Sequence, residues 1–384
     1  MPHSKHDGGK RVVVCALSTY GKIGGLQNFN RRLFHNLDGG EAGGGEAVVF
    51  LLGDSNATIP RLPGAEILAP RNRLFYFMRA FWRAATQGRM LLVCHLNLLP
   101  LAAAIRLFRP RLPIVLFVHG YEAWNSAGRP RRLFERLAAR SVDRVVSVSR
   151  FTAEVMSREF RVPLRKFRIL PNAVDRLESA PSGGRRPLSI LTVTRLGAGE
   201  REKNVDEMIE AFALLRQSVP DAVYEIIGDG ALRPGLEALA QKLGVADAVT
   251  FRGLVPAKAL QEAYASASVF AMPSDKEGFG IVYLEAWQYG LPVICSKHGA
   301  ASEVVSDGVD GFVVDPKDVP ALAARLRQLL LDEGLAKAMG ERGREKVEAK
   351  YLNAEFRARL LEILDECRRE SDAGAFAGPS KSAF

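Results

Sequence analysis

The chain has 384 residues, 47% hydrophobic and 25% charged, with a formal net charge of +10 at pH 7. That length suits two domains, and that composition is the one of a globular chain rather than a disordered one. The charge is uneven: residues 1–180 carry 28 Lys+Arg against 13 Asp+Glu, and residues 181–384 carry 25 against 30. A basic half beside an acidic half supports the two-domain reading and gives the first half an anionic partner: nucleic acid, an anionic membrane surface or a phosphorylated lipid.

Apolar, β-branched runs alternate with longer amphipathic stretches along the whole chain, which predicts parallel βαβ units buried on both faces. The N-terminal "MPHSKHDGGKR" has no apolar core of the signal-peptide kind. The first strand is expected over Arg11–Ser18. Directly after it, "TYGKIGGLQNFNRRL" places Gly24 and Gly25 at the start of an amphipathic helix with Leu26, Phe29 and Leu33 inward. Such glycines let a backbone come close to an anion, or simply make a tight turn. The pattern is not G-x-G-x-x-G, and no acid is expected to close the second strand at the distance a dinucleotide site needs.

The loop Asp38–Ala47 precedes a strand at Val48–Leu52. Arg71–Ala85, "RNRLFYFMRAFWRAA", interleaves arginines with Leu74, Phe75, Phe77, Met78, Phe81 and Trp82. It suits either an interfacial helix on an anionic membrane or a half-buried helix with snorkelling arginines. The longest apolar segment, Met90–Ile105, is interrupted by His95, Asn97 and Pro100 and falls short of the roughly 20 residues of a membrane span. Strands follow at Leu91–Leu96 and Ile114–His119; His95 and His119 each fall at a strand's end, where a lone histidine is more often structural than functional. Arg144–Ser149 and Phe167–Leu170 complete the first series.

"ESAPSGGRRP", Glu178–Pro187, reads as a linker. The second series runs through Ser189–Thr194, Ala222–Ile227, Val249–Arg252, Val269–Met272, Pro292–Cys295 and Gly311–Val314. Arg195 ends its first strand and Lys203 lies just before a helix; two cations from one loop suit a diphosphate, beside the alternative of a solvated charged loop. After the strand "VFAMPS", Glu277 stands before Gly278-Phe279-Gly280 and a helix expected from about Phe279 to Tyr289, with Glu285 inside it. The glycines leave the amides of Phe279, Gly280, Ile281 and Val282 for phosphate, while two acids beside a phosphate suit a ligand with hydroxyls on either side: a nucleotide-sugar. The four cysteines, Cys15, Cys94, Cys295 and Cys367, form no C-x-x-C pair and read as buried thiols of a cytosolic protein.

Glu277 and Glu285, with seven residues between them, resemble the E-x7-E motif of the retaining GT-B glycosyltransferases of family 4. The resemblance extends over nearly the whole chain through Gly24-Gly25, His119, "SVSRFTAE", "LPNAVD", Arg195, Lys203, "IIGDG", "GFGIVYLEA" and "DGVDGFVV". It implies an α/β GT-B fold: two Rossmann-like domains facing a central cleft, with a C-terminal helix crossing back to the first. The implied domains are an acceptor-binding domain over residues 1–177, a linker over 178–187 and a nucleotide-sugar domain over 188–352. A crossover helix over 353–370 and a disordered tail over 371–384 would follow.

By the same resemblance, Arg195 and Lys203 would bind the donor diphosphate and Glu277 would hold hexose hydroxyls beside the Phe279–Val282 amides. Glu285 would bind the ribose, Gly24 and Gly25 would approach the diphosphate, and His119 would line the sugar pocket. The Arg195-to-Lys203 loop is longer than in many members and resembles a subgroup in which Arg201 could share the diphosphate role. The implied activity is transfer of a hexose, mannose on family frequency, from a nucleotide-diphosphate sugar to a glycan or polyprenyl-linked acceptor in cell-surface polysaccharide biosynthesis. Front-face transfer, in which the leaving diphosphate helps take the acceptor proton, is expected over a double displacement through Glu277. The chain has no D-x-D, so no cofactor and no metal are expected. The expected location is cytoplasmic, peripheral on the inner face of the membrane, with no nucleic-acid partner. A GT-B nucleotide-sugar epimerase and a dinucleotide-dependent oxidoreductase are the alternatives.

Overall fold

The computed structural model describes residues 11–21, 24–37, 47–55, 59–62, 64–70, 72–124, 132–178 and 184–374. The chain forms two compact units, one reaching Pro171 and resuming at Phe356, the other Asn172–Glu355.

The first unit is a parallel sheet of β1 (Arg11–Leu17), β2 (Ala47–Leu52), β3 (Ala65–Leu68), β4 (Gly88–Val93), β5 (Ile114–Val118), β6 (Arg144–Ser147) and β7 (Phe167–Ile169). Its helices are α1 (Gly25–Leu37), α2 (Arg73–Gln87), α3 (Leu99–Phe108), α4 (Tyr121–Trp124), α5 (Arg132–Ala138) and α6 (Arg150–Phe160). The strand order is β3-β2-β1-β4-β5-β6-β7. Strands such as β1, β4 and β5 are almost continuously apolar because helices cover both faces; Val13, Val14, Cys15 and Leu116 are fully buried. Strand β3 was not expected. Its "AEIL" is short and half-exposed throughout, and only its pairing with β2 in register, Ala47 opposite Ala65, identifies it as the sheet edge.

The second unit repeats the plan with β8 (Ser189–Val193), β9 (Val223–Ile227), β10 (Val249–Gly253), β11 (Val269–Met272), β12 (Val293–Ser296) and β13 (Gly311–Val314), ordered β10-β9-β8-β11-β12-β13 and all parallel. Its helices are α7 (Val205–Arg216), α8 (Arg233–Lys242), α9 (Ala257–Ser266), α10 (Ile281–Gln288), α11 (Ala301–Val304), α12 (Val319–Leu331) and α13 (Glu333–Lys350). Helix starts carry their usual chemistry: Asp206 and Glu207 in the first turn of α7, and an Asp318 side chain accepting from the Ala321 N–H at 3.0 Å with a proline behind it in α12.

The unit boundary falls at Pro171, ahead of residue 177. The Val174 N–H donates to the Tyr351 carbonyl at 2.8 Å, and Gln288 Nε2 donates to the Asp175 carbonyl, so this segment is held by the second unit. The last helix, α14 (Asn353–Asp372), packs with the first unit from Phe356 onward. Phe356 meets Phe29 edge-on at 5.3 Å, Arg168 forks onto Glu366, and Arg144 pairs with Glu370. The linker is described only in part, and most of the expected tail lies outside the described residues. All four cysteines are free and buried.

One glycine ties this scaffold to its loops. Gly228, just past β9, has φ +140°, and a Cβ there would stand 1.6 Å from the Thr194 carbonyl oxygen at the end of β8. Gly228→Ala is expected to destabilise the second unit by about 2–4 kcal/mol, because neither the backbone angle nor the neighbouring backbone can yield. Gly235→Ala is the control: it lies in α8 with nothing within 4 Å of the added atom, so it should be neutral or stabilising by up to about 1 kcal/mol. Urea unfolding of the two variants reads the difference, and equal midpoints would contradict it.

Candidate active site

In an open parallel sheet, ligands bind beyond the carboxyl ends of the strands where the strand order reverses. In the second unit that point lies between β8 and β11. The loop after β8 carries Arg195 and Lys203, and the loop after β11 carries Glu277.

Backbone and side-chain hydrogen bonds stitch these loops together. The Glu202 carbonyl accepts from the Asp275 N–H at 2.8 Å and from Ser274 Oγ at 3.1 Å. Asn204, buried and left-handed at φ 54°, donates its side-chain amide to the Pro273 carbonyl at 2.7 Å. On this frame Lys203 Nζ lies 2.8 Å from Glu277 Oε2, with the side chains 15% and 17% exposed. Arg195 Nη2 lies 2.6 Å from Glu200 Oε1, its guanidinium mostly in solvent. Lys276 likewise pairs with Glu202 at 2.6 Å. Arg201 is exposed and has no ion-pair partner among the described residues.

The helix after Glu277 begins at Ile281, two residues later than expected. Gly280 has φ +90°, and a Cβ there would strike the Tyr283 ring at 2.3 Å, so this residue turns the chain into the helix. Phe279 is buried instead, its ring edge-on to Tyr351 at 5.8 Å. No side chain caps α10, which leaves the N–H groups at Ile281 and Val282 to a ligand. Gly278 is half-buried in the loop between Glu277 and Phe279. Glu285, one turn into α10, accepts from the Tyr264 hydroxyl at 2.9 Å, and the Tyr264 ring stacks on Tyr289 at 5.6 Å. Burial pushes the Glu285 carboxyl above the ordinary carboxylate range, and the Tyr264 hydrogen bond opposes that rise. The four expected residues thus separate into three pairings: Lys203 touches Glu277, while Arg195 and Glu285 each have a partner of their own.

In the first unit the order reverses between β1 and β4. Gly25 opens α1, and the Gly24 carbonyl accepts the Asn28 N–H at 3.0 Å. The turn before them is occupied by an acid that sequence reasoning missed. Asp54, buried just past β2, accepts from the N–H groups of Thr19, Tyr20 and Gly21 at 2.7, 2.9 and 2.6 Å. Asp54 lies farther along the chain than a dinucleotide's ribose-binding acid would, and its oxygens hold the loop after β1. Its sequence signal was "GD" immediately after the strand.

His119 sits beyond β5, its ring 4.6 Å from Phe29 of α1. Both ring nitrogens are buried with no protein partner among the described residues, and burial pushes its pKa down to about 3. His95, by contrast, caps the turn after β4 by accepting the Asn97 N–H at 3.0 Å.

Helix α2, started by an Asn72 cap, buries only the stripe Tyr76, Ala80 and Ala84. Its other face exposes Leu74, Phe75, Met78 and Trp82 together with Arg73 and Arg79, the Arg79 guanidinium lying 4.6 Å over the Phe75 ring. A cavity of about 900 Å³ lies between this helix and β3 and is lined by Ile67, Pro70, Phe75 and Arg79 among others. Arg71 is outside the described residues. Among the described residues no group of three or more His, Cys, Asp or Glu side chains is placed to hold a metal ion, and no helix is long and apolar enough to cross a membrane.

Two family models match the chain: Glycosyltransferase Family 4 over residues 23–176 and Glycosyl transferases group 1 over residues 186–346. The chain is similar to the GDP-mannose-dependent alpha-(1-6)-phosphatidylinositol monomannoside mannosyltransferase of Mycolicibacterium smegmatis, 36% identical over 277 residues, covering 67% of this chain and 71% of the relative. The protein of that description from Mycobacterium tuberculosis is 34% identical over 289 residues, 68% of this chain and 74% of the relative. Among solved structures, HepE of Anabaena in complex with UDP superposes with a TM-score of 0.75 at 18% identity, over 93% of this chain and all of that one. A sucrose-phosphate synthase from Thermosynechococcus elongatus gives 0.73 at 21% identity, over 93% and 99%. At these identities the structures speak for the fold.

Burial of His119 has a measurable consequence. An unfolded histidine titrates near 6.5, so between about pH 6.5 and 3 the unfolded chain binds a proton that the folded chain does not. The sign follows: stability is lost as pH falls through that window, by up to about 1.4 kcal/mol per unit from this group. Relative to His119→Phe, the wild type should therefore lose about 2 kcal/mol between pH 7 and pH 5. Urea titrations at the two pH values check this, and a pH-independent difference between the proteins would refute a buried neutral imidazole.

Proposed function

We propose a donor, an acceptor class and a mechanism for this chain, which belongs to glycosyltransferase family 4, has the GT-B fold and is a hexosyltransferase that uses a nucleotide sugar. The donor is GDP-mannose and the transfer retains the anomeric configuration. The observation that carries the site assignment is the Lys203–Glu277 contact beside the uncapped start of α10. A cation, uncapped amides and an acid stand together there, which supports a sugar diphosphate as the ligand. Arg195, Lys203 and the amides of Ile281 and Val282 hold the diphosphate and stabilise it as leaving group. Glu277 takes hexose hydroxyls, with Gly278, Phe279 and Gly280 shaping that turn. Glu285, oriented by Tyr264, takes the ribose. His119, neutral, offers one donor and one acceptor to sugar hydroxyls, and Gly24 and Gly25 bring α1's free amides to an anionic group.

The reaction needs no metal, since these residues supply the positive charge. Front-face transfer fits a Glu277 carboxylate that is committed to hexose hydroxyls rather than aimed at the anomeric carbon. The relatives named for GDP-mannose and phosphatidylinositol monomannoside support this donor and a lipid-linked glycan acceptor. The exposed apolar and cationic face of α2 supports docking at the cytoplasmic face of an anionic membrane.

A thermal-shift panel of GDP- and UDP-sugars, with and without a chelator, tests the donor. GDP-mannose at a hundredfold excess over Kd should stabilise the wild type by about 2.7 kcal/mol, several degrees in Tm, and leave Glu285→Ala unmoved. Stabilisation by UDP-sugars alone would reassign the base, and its loss on chelation would reassign the charge to a metal.

Flotation with liposomes tests the acceptor side. At low salt the protein should bind anionic but not zwitterionic vesicles, and the double variant Arg73→Glu/Arg79→Glu should lose most of that binding. Equal recovery of wild type and variant would remove α2 as the docking face.

A further inference from the structure

Both cations assigned to the diphosphate already hold acids in the ligand-free chain: Lys203 holds Glu277 at 2.8 Å, and Arg195 holds Glu200 at 2.6 Å. Neither acid is mostly exposed; Glu277 is 17% accessible and Glu200 22%. Glu200 is also fixed by its backbone, whose N–H donates to the Gly197 carbonyl at 2.9 Å, within the loop that carries both Arg195 and Lys203. The loop thus supplies its own counter-ion for Arg195.

We infer that the diphosphate cradle is charge-compensated, so that the donor binds by exchanging partners: its phosphates displace Glu200 from Arg195 and Glu277 from Lys203. This rests on reading the β8–β11 crevice as the diphosphate site, and it adds a role for each acid. Glu200 is a positioning and specificity residue that acts through Arg195 and lowers affinity for diphosphates in general. Glu277 competes with phosphate for Lys203 until the donor arrives, and is then freed to accept a hexose hydroxyl. A nucleoside diphosphate without its sugar displaces Glu277 and gives it nothing in return. A donor restores its hydrogen bonds. The exchange thus favours donor over product, which is a route to release of the spent nucleotide.

Calorimetric titration of GDP, UDP and inorganic pyrophosphate tests this on the full chain. Glu200→Gln should bind GDP about two- to fivefold more tightly than wild type, the range of an exposed ion pair. Glu277→Gln should bind GDP about tenfold more tightly, as the partner is half-buried and charged, while the preference for GDP-mannose over GDP falls. Arg195→Met/Glu200→Gln should lose the gain of the single variant, because the acid acts only through Arg195. Damage to the loop would weaken binding, so a gain separates partner exchange from a structural effect; thermal melts confirm that each variant is folded. Wild-type binding that neither glutamine variant tightens overturns the exchange alone. Failure of every protein to bind GDP, UDP and pyrophosphate overturns the diphosphate reading as well.

Discussion

Lys203 and Glu277 meet where the second sheet changes direction, and the rest of the candidate site is placed by that meeting. From β8 the chain crosses over toward β9, and from β11 toward β12, so the two loops part and leave a crevice between adjacent strands. Residues of these two loops face each other there, and the loops after β12 and β13 join them: the Ala300 N–H donates to the Glu277 carbonyl at 2.9 Å, and Lys317 Nζ donates to Asn204 Oδ1 at 3.2 Å. The Glu202 carbonyl fixes their spacing through two donors on the β11 side, and Asn204 fixes it again through the Pro273 carbonyl. Past Glu277, α10 starts at Ile281 with no side-chain cap, and Glu285 follows one turn later. The glycines are consequences of the same crowding. Gly228 clears the Thr194 carbonyl, and Gly280 clears the Tyr283 ring.

The two units share a topology and treat its crest in opposite ways. In the first, three consecutive amides after β1 converge on one point, a geometry that suits a phosphate. Asp54 occupies it, so the unit satisfies its own anion site. The same contact disposes of the dinucleotide reading, in which an acid after β2 would hold a ribose. In the second unit the corresponding loop after β8 points cations at the crevice, and the acids that balance them come from side chains that can swing away. A phosphate can replace Glu200 or Glu277 by rotating a side chain. To replace Asp54 it would have to break three backbone hydrogen bonds in a buried turn, which is why the exchange proposed above concerns the second unit.

Strand positions were legible because a parallel strand buried on both faces must be apolar throughout, and twelve such runs stand out. Strand β3 did not, since its four residues are only partly buried and include Glu66, so no apolar run marks them. The E-x7-E spacing, Arg195 and Lys203 were legible as residue types at strand ends. Their pairings were not, because which acid meets which cation depends on loops folding against each other. Glu200 looked like part of a solvated charged run, and Asp54 like an ordinary turn residue after a strand. Tyr264, which orients Glu285 from twenty-one residues away, had no local signal at all. His119 was ambiguous in the sequence because a strand-end histidine is usually satisfied. The structure leaves both its nitrogens buried without a protein partner among the described residues.

The basic excess of the first half also divides differently in three dimensions. Counting along the chain treats residues 1–180 as one charged body, yet α14 returns acids to it: Glu366 to Arg168 and Glu370 to Arg144. Arg106 is matched by Asp143 and Arg11 by Glu66. These arginines are structural, and their charge is largely neutralised at close range. Arg73 and Arg79 are different, since they stand exposed on α2 among apolar side chains that also lack cover. A guanidinium over the Phe75 ring keeps its charge while shedding part of its hydration, which suits it to a surface that is both anionic and oily. The membrane docking proposed above rests on this helix face, where exposed cations and exposed hydrocarbon stand side by side. A nucleic acid would be met by cations without so much exposed hydrocarbon between them, whereas a bilayer interface accommodates both.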